Sequence, residues 1–260
     1  MIRHYTLHDI VPYINWAYFY HAWRTTKEKS PELHSDAQHL LTEMAEHIQT
    51  HAIVELFAAN SDGEDILLIE NGKRLPMLRQ QHGVECLCWA DFIWPVGSGK
   101  TDTIGLFATS VDEQMVSNDH VDEYHHLLSQ TLADRLAEAT AERIHEEVRK
   151  KIWGYSPHER LSIDDLFKEK YTGRRPAVGY PSLPDQSLNF IIDEIIDMKR
   201  IGITLTESGA MRPHASTSGL LFAHPKARHF SIGKIGEDQL RNYARRRGLP
   251  VDTMRRFLDV

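Results

Sequence analysis

Residues 174–185 read RRPAVGYPSLPD. Pro176, Pro181, Pro184 and Gly179 fall within this stretch, which makes a stiff, irregular backbone that a domain rarely maintains at a mere connection. Arg175 offers a planar fork able to grip a carboxylate through two parallel hydrogen bonds. Pro176 fixes the chain direction just after it, and Gly179 lets a ligand lie against the backbone. Tyr180 adds an aromatic wall with a hydroxyl. These residues suit a small zwitterion carrying an amino-acid carboxylate. A proline corner packed on a sheet accounts for them equally well, so the loop by itself leaves both readings open.

Downstream of the loop, SLNFIIDEIIDMKRIG (187–202) reads as a helix stopped by Gly202. SGLLFAHP (218–225) and HFSIGKI (229–235) read as two late strands, and EDQLRNYARRRGLPVDTMRRFL (237–258) as a closing helical pair. Upstream, Leu128, Leu132, Leu136, Ile144, Val148 and Ile152 recur at four-residue intervals, which predicts a long helix from about Val121 to Ile152 ending at Gly154. Ser162 with Asp165 forms a capping box in which Asp replaces Glu. TDTIGLFATSV (101–111) and GVECLCWADFI (83–93) read as strands, and residues 52–72 as a hairpin turning at Asp62-Gly63. Residues 35–50 read as an amphipathic helix capped by Ser35 or Asp36, behind an aromatic segment that includes LHDIVPYINWAYFYHAW (7–23). This mixed order with several hairpins predicts an α+β fold: a mixed, mainly antiparallel sheet with long flanking helices. One domain, 1–260, is expected. Its parts are the N-terminal aromatic segment (1–34), the helix, hairpin, sheet and long helix (35–153), and the ligand loop, late strands and helical pair (154–260).

The composition agrees with a water-soluble chain able to bury a sizeable core: 260 residues, 41% apolar, 26% charged. No apolar run approaches the ~20 residues that cross a bilayer, and MIRHYTLHDI is no secretion segment. Cys86 and Cys88, the only cysteines, would share one face of a strand, where a disulfide between them would be strained. Reduced thiols and a cytoplasmic location are expected. The net charge of −7 argues against broad affinity for nucleic acid or anionic membrane. Arg241, Arg245, Arg246, Arg247, Arg255 and Arg256 nevertheless crowd the last 24 residues against four acidic side chains. They read as a solvated helical surface or a docking face for an acidic partner.

Several familiar patterns fail on their physical requirements. WPVGSGKTDT (94–103) ends like a phosphate-binding loop, but Trp94 stands where a glycine must begin the tight turn. Pro95 has no N–H to donate, and a β-branched, strand-like run follows where a helix N-terminus must face the anion. Sixteen histidines lack metal spacing: His120 and His125 are five apart, and HEEVR (145–149) is not H-E-x-x-H. No G-x-S-x-G elbow and no G-x-G-x-x-G fingerprint is present. The closing pair has the outline of a helix-turn-helix, weak support for DNA binding in an acidic chain.

RRPAVGYPSLPDQS resembles the R-P-A-x-G-Y-P signature of the S-adenosylmethionine-binding activation domain of cobalamin-dependent methionine synthases. YINWAYFYHAW, ELFAAN, ADFIWPVGSGKTDTIGLFA, LADRLAEATAERIHEEVRKKIWGY, GITLTESGAMRPHASTSGLLFAHP and YARRRGLPVDTMRRFL resemble further segments of that family, in order, from Leu7 onward. The resemblance implies a single C-shaped domain that docks over cobalamin and presents S-adenosylmethionine to an oxidised, inactive cobalt. A flavodoxin-type reductant supplies an electron, and methyl transfer returns the enzyme to its cycle. No D-x-H-x-x-G motif, homocysteine domain or folate domain accompanies it, so cobalamin is expected on a partner chain, with this one acting in trans and not catalytic alone. By resemblance Arg175 holds the ligand carboxylate, with the backbone at Ala177 and Gly179 flanking it. Tyr180 stands near the methyl group and the corrin, and Glu138 and Glu169 near the sulfonium, where negative charge suits a partly desolvated cation. Asn15 departs from the family's usual Asp, and His229-Phe230 from an adjacent tyrosine pair. A charge-assisted bond is worth roughly 1 kcal/mol more than a neutral one, so a several-fold loss of affinity is expected. Reactivation of a different corrinoid methyltransferase, or an S-adenosylmethionine-sensing module without catalysis, are the alternatives.

Overall fold

The alternating apolar runs become strands in the computed structural model, which describes residues 1–116 and 122–258. The chain opens with β1 (Ile2–Thr6), α1 (Leu7–Ile10), α2 (Trp16–Ala22) and α3 (Pro31–Met44). Next come β2 (Gln49–Asp62), β3 (Asp65–Leu68), β4 (Arg74–Pro76), β5 (Asp102–Val111) and the long α4 (Glu123–Glu147). After α5 (Ile163–Phe167) follow α6 (Leu188–Ile196), the two-residue strands β6 (Thr204–Leu205) and β7 (Met211–Arg212), and β8 (Ser216–Leu221). Helices α7 (Glu237–Arg247) and α8 (Val251–Leu258) close the chain. The main sheet is antiparallel throughout, in the order β4-β3-β2-β5-β8. β1 lies beside the first half of β2, with Ile2 opposite Ile53. The fold is thus α+β, as expected.

Strand period sorts the core into two layers. Ala52, Val54, Phe107, Val111 and Leu221 face α1–α4, while Ile53, Ile104, Leu106, Ala108, Leu220 and Phe222 face α6 and the segment around Trp89. Both faces are covered, so β5 is buried from Ile104 to Val111. Each fully buried Leu or Ile contributes roughly 1.5–3 kcal/mol. Of the predicted stripe, Leu128, Leu132, Leu136 and Ile144 on α4 and Val148 just beyond it are buried in the core, and Ile152 is half-buried. Small residues let the helix approach closely, and the Thr109 hydroxyl donates to the Ala137 carbonyl at 3.1 Å. Asp122 caps α4 by accepting from the His125 N–H at 2.9 Å, while the predicted start at Val121 lies outside the described residues. The helix ends in a π-turn, Val148–Ile152, before Gly154 at φ 74°.

The hairpin pairs Asp62 with Asp65 around Gly63-Glu64, and the Ser162–Asp165 capping box is formed. Five expectations need correction. α3 begins at Pro31, not at Ser35 or Asp36, because proline at the first helical position starts a helix readily. It stops at Met44, and Gln49 already belongs to β2. Residues 83–93 form no strand: Asp91 accepts from the Cys88 N–H at 2.9 Å and is gripped by Arg79 at 2.7 Å, which winds Trp89–Phe92 into a 3-10 turn. Cys86 therefore takes a left-handed φ of 48° instead of sharing a strand face with Cys88; both are free thiols, and burial pushes that of Cys88 up to about 12. Residues 229–235 are also irregular, because Phe230 packs on Trp89, the Ile232 N–H donates to Pro181 at 2.9 Å, and Gly233 turns the chain at φ 75°.

β5 follows the Gly-Ser-Gly turn, so GSGKT opens no helix, and Lys100 Nζ lies 4.1 Å from the Trp94 ring centroid. The arginine-rich end is partly tied inward. Arg246 holds Asp65 at 2.5 Å and Glu64 at 3.1 Å, Arg247 meets Asp185 at 3.2 Å, and Arg255 meets Glu237 at 2.7 Å; Arg241, Arg245 and Arg256 are exposed. Among the described residues no helix is long and apolar enough to cross a membrane, and no group of three His, Cys, Asp or Glu is placed to hold a metal.

Candidate functional site

The 174–185 loop is a corner packed on the sheet that also lines a cleft. Residues 174–178 run antiparallel along the outer edge of β8. Arg174 and Phe222 exchange backbone bonds at 2.9 Å, Leu220 donates to Pro176 at 3.0 Å, and Val178 donates to Ser218 at 2.9 Å. Pro176, having no N–H, contributes only its carbonyl to this edge. Gly179 then turns the chain at φ 88°, with its N–H on the Leu183 carbonyl at 2.9 Å. The Trp89 indole N–H donates to the Ser182 carbonyl at 3.0 Å and pins the far side of the turn. The proline corner is therefore packed on the sheet, and its free side forms one wall of a cleft of ≈ 700 Å³, a volume typical of small-molecule sites.

The opposite wall is α4. Arg135, Glu138, Ala139 and Glu142 are spaced i, i+3, i+4, i+7 and line the cleft from one helix face. The Tyr180 hydroxyl donates to Glu138 at 2.7 Å, and burial together with that carboxylate pushes the phenol pKa up. Arg175 is 13% exposed, lies 5.6 Å above the Phe107 ring, and donates through Nη2 to Glu142 at a stretched 3.5 Å. Its Nε is buried and makes no hydrogen bond to the protein. Asn15, also in the lining, caps α2 by accepting from the Ala17 N–H at 3.2 Å. Glu169, held at φ 50°, faces Arg174 and His229, each at 3.4 Å. Burial pulls the His229 pKa down, Arg174 and Arg175 add to this, and Glu169 opposes it. Phe230 leans on Trp89, ring centroids 5.1 Å apart.

Of the residues singled out by sequence, Asn15, Glu138, Glu169, Arg175, Ala177, Tyr180, His229 and Phe230 line this one cleft. Gly179 does not; it shapes the turn that presents Tyr180. Sequence reading missed Tyr13, Tyr18, Arg135, Glu142 and Tyr171. Glu142 was within reach, because it stands one helical turn beyond Glu138.

Behind the cleft lies a buried polar layer. His145 is fully buried, packs edge-on against Tyr171 at 4.9 Å, and neither ring nitrogen finds a protein partner. Burial first, then Arg149, Arg175, Arg174 and His229, hold its pKa well below the ordinary value of about 6.5. Neutral in the fold and protonated in the unfolded chain below that value, it gives stability that is complete above about pH 6.5 and lost as pH falls toward its folded value. Glu142, pushed up chiefly by burial, gives the opposite slope, so the comparison must be between two chains differing only at 145. In urea titrations between about pH 7 and pH 5, His145→Leu is expected to lose less stability on acidification than the parent, by up to about 1.4 kcal/mol per pH unit. Parallel curves would show that His145 is not held neutral.

An antiparallel sheet, a long helix packed across it and a cleft between that helix and the 174–185 loop, lined by Arg175 and by carboxylates, define an α+β module with a polar cleft. The chain belongs to the family described as vitamin B12 dependent methionine synthase, activation domain, whose profile matches residues 6–248. It is similar to the MetH reactivation domain, whose crystal structure was determined bound to AdoHcy. The two agree with a TM-score of 0.92 at 35% identity, over 100% of this chain and 89% of that one.

Proposed function

We propose that this chain binds S-adenosylmethionine in the cleft and presents its methyl group to the cobalamin module of a methionine synthase, for reductive remethylation with an electron from a flavodoxin-type donor. The observation that carries the reading is Arg175, a buried guanidinium with unused donors facing a cleft whose other wall bears carboxylates. Its fork takes the amino-acid carboxylate, beside the backbone at Ala177. Glu138 and Glu169 stand toward the sulfonium, which in a partly dry cleft gains more from fixed negative charge than it does in water. His229 and Phe230 offer planar surfaces to the nucleoside, and Asn15 offers a neutral hydrogen bond. Tyr180, tied to Glu138 and half exposed, stands at the mouth, where the methyl group has to emerge. Cobalamin, carried by its own module, supplies the nucleophile. The residues of this chain bind and orient, and none is required as acid, base or nucleophile. Family membership supports a cytoplasmic setting for this work.

Calorimetric titration with S-adenosylmethionine and S-adenosylhomocysteine tests the reading. Saturable one-to-one binding of both is expected, and absence of binding to either would overturn it.

A further inference from the structure

The Arg175 fork is steered from behind. The π-turn Val148–Ile152 winds an extra residue into the end of α4, a feature that often marks functional positions. It carries Arg149 into the interior, where the side chain is 0% exposed. Arg149 takes Glu159 in a bidentate grip, with bonds of 2.8 and 2.9 Å, and its guanidinium lies 4.0 Å over the Tyr171 ring. Its remaining nitrogen, Nη1, stands 3.9 Å from Oε1 of Glu142, and neither atom makes a hydrogen bond to the protein. The other oxygen of Glu142 is the one that meets Arg175 at 3.5 Å. Glu159, Arg149, Glu142 and Arg175 thus form a line of alternating charge from the interior to the cleft.

The distances along that line are unequal, and the inequality carries the argument. A made charge-assisted pair sits at about 2.7–2.9 Å, as Arg149 and Glu159 do. Both contacts of Glu142 are longer. A carboxylate tightly paired with Arg175 would compete with a ligand carboxylate for the same fork. One held between the two guanidiniums, at 3.5 Å from Arg175 and 3.9 Å from Arg149, fixes the fork's direction without filling it. We propose that Glu142, braced by Arg149 and Glu159, is a positioning residue that aims Arg175 at the ligand carboxylate while leaving its donors available. This rests on the reading of Arg175 given above. Tyr171 and Glu169 face Glu142 from the segment after α5, Arg149 from the π-turn, Arg175 from the loop, and Glu138 stands one turn back on α4.

The test separates positioning from mere scaffolding by using a ligand without the carboxylate. Methylthioadenosine keeps the nucleoside and thioether of S-adenosylhomocysteine and lacks the amino-acid end. For Glu142→Gln, affinity for S-adenosylhomocysteine is expected to fall about tenfold or more, with methylthioadenosine unchanged within about twofold. The same substitution in an Arg175→Ala background should cost nothing further. Because Arg149 is buried, it is replaced together with its partner, as Arg149→Met with Glu159→Met, an exchange that buried ion pairs commonly tolerate. The double variant should show the same carboxylate-specific loss. Parallel weakening of both ligands, or a loss that persists without Arg175, would overturn the proposal and leave Glu142 a structural residue. If the unaltered chain binds the two ligands equally well, the assignment of Arg175 itself falls, and the proposal with it.

Discussion

Replacing Arg175 by alanine is expected to weaken S-adenosylhomocysteine binding by roughly 30-fold to several thousandfold, the 2–5 kcal/mol lost when one side of a buried charge pair is truncated. Two effects combine. The ligand carboxylate loses the bidentate donor proposed for it, and Glu142, already buried, loses one of its two neighbouring cations. Arg175→Lys isolates the geometry, since it keeps the charge but not the planar fork, and should fall between parent and alanine. The fold is expected to survive both changes. The loop is held to β8 by backbone bonds at Arg174, Pro176 and Val178, none of which involves the Arg175 side chain. Calorimetry on all three chains, with thermal melting as the control, decides the matter. An alanine variant that binds like the parent would remove Arg175 from the site and with it the case for a carboxylate ligand.

The sequence made the sheet readable wherever a strand is defined by its own alternation. β2, β3, β5 and β8 lie in runs whose period of two and turn residues are local properties, and the stripe on α4 is equally local. The two strands that failed share a cause. Residues 83–93 and 229–235 carry apolar patterns as good as a strand's, but their partners are side chains distant in sequence: Arg79 on Asp91, and Trp89 under Phe230. β-propensity describes fitness for a half-buried surface, and such a surface exists in irregular segments too. The cleft divides in the same way. The loop announced itself because three prolines and a glycine are costly to place without purpose. Glu138, Glu169, Asn15 and His229 came only through family resemblance, since nothing local marks a carboxylate on a long helix as facing a ligand. The polar layer behind them was invisible, because a π-turn, which turns Arg149 inward, has no signature in composition or period.

Gly219→Ala is the second large effect, and it ties the sheet to the site. Gly219 lies in β8, where its backbone φ is ordinary, so alanine itself is unstrained there. The new methyl group would nevertheless stand 2.1 Å from the Pro176 carbonyl oxygen and 2.9 Å from the Ala177 Cα. Gly105 is the instructive contrast: its added carbon would meet the Leu221 side chain at 2.8 Å, and side chains can turn aside. At Gly219 the obstacle is backbone, so the loop must lift from the strand. It then gives up the bonds from Val178 to Ser218 and from Leu220 to Pro176, at 2.9 and 3.0 Å. Overpacking and lost hydrogen bonds together should cost on the order of 3 kcal/mol, or about 6–12 °C in melting temperature for a chain of this size. Arg175 and Ala177 ride on the displaced segment, and a shift of about 1 Å in positioning groups costs roughly a hundredfold in function. S-adenosylhomocysteine affinity should fall by a similar factor. Gly179→Ala is the control: no atom lies within 4 Å of its added carbon, so only the strain of φ 88° opposes it, and its cost should stay near 1–3 kcal/mol with no clash to relay. A Gly219→Ala chain that melts early but binds normally would show that the strand edge supports the fold without aiming the loop. One that is normal in both respects would show that the sheet yields to the methyl group instead of the loop.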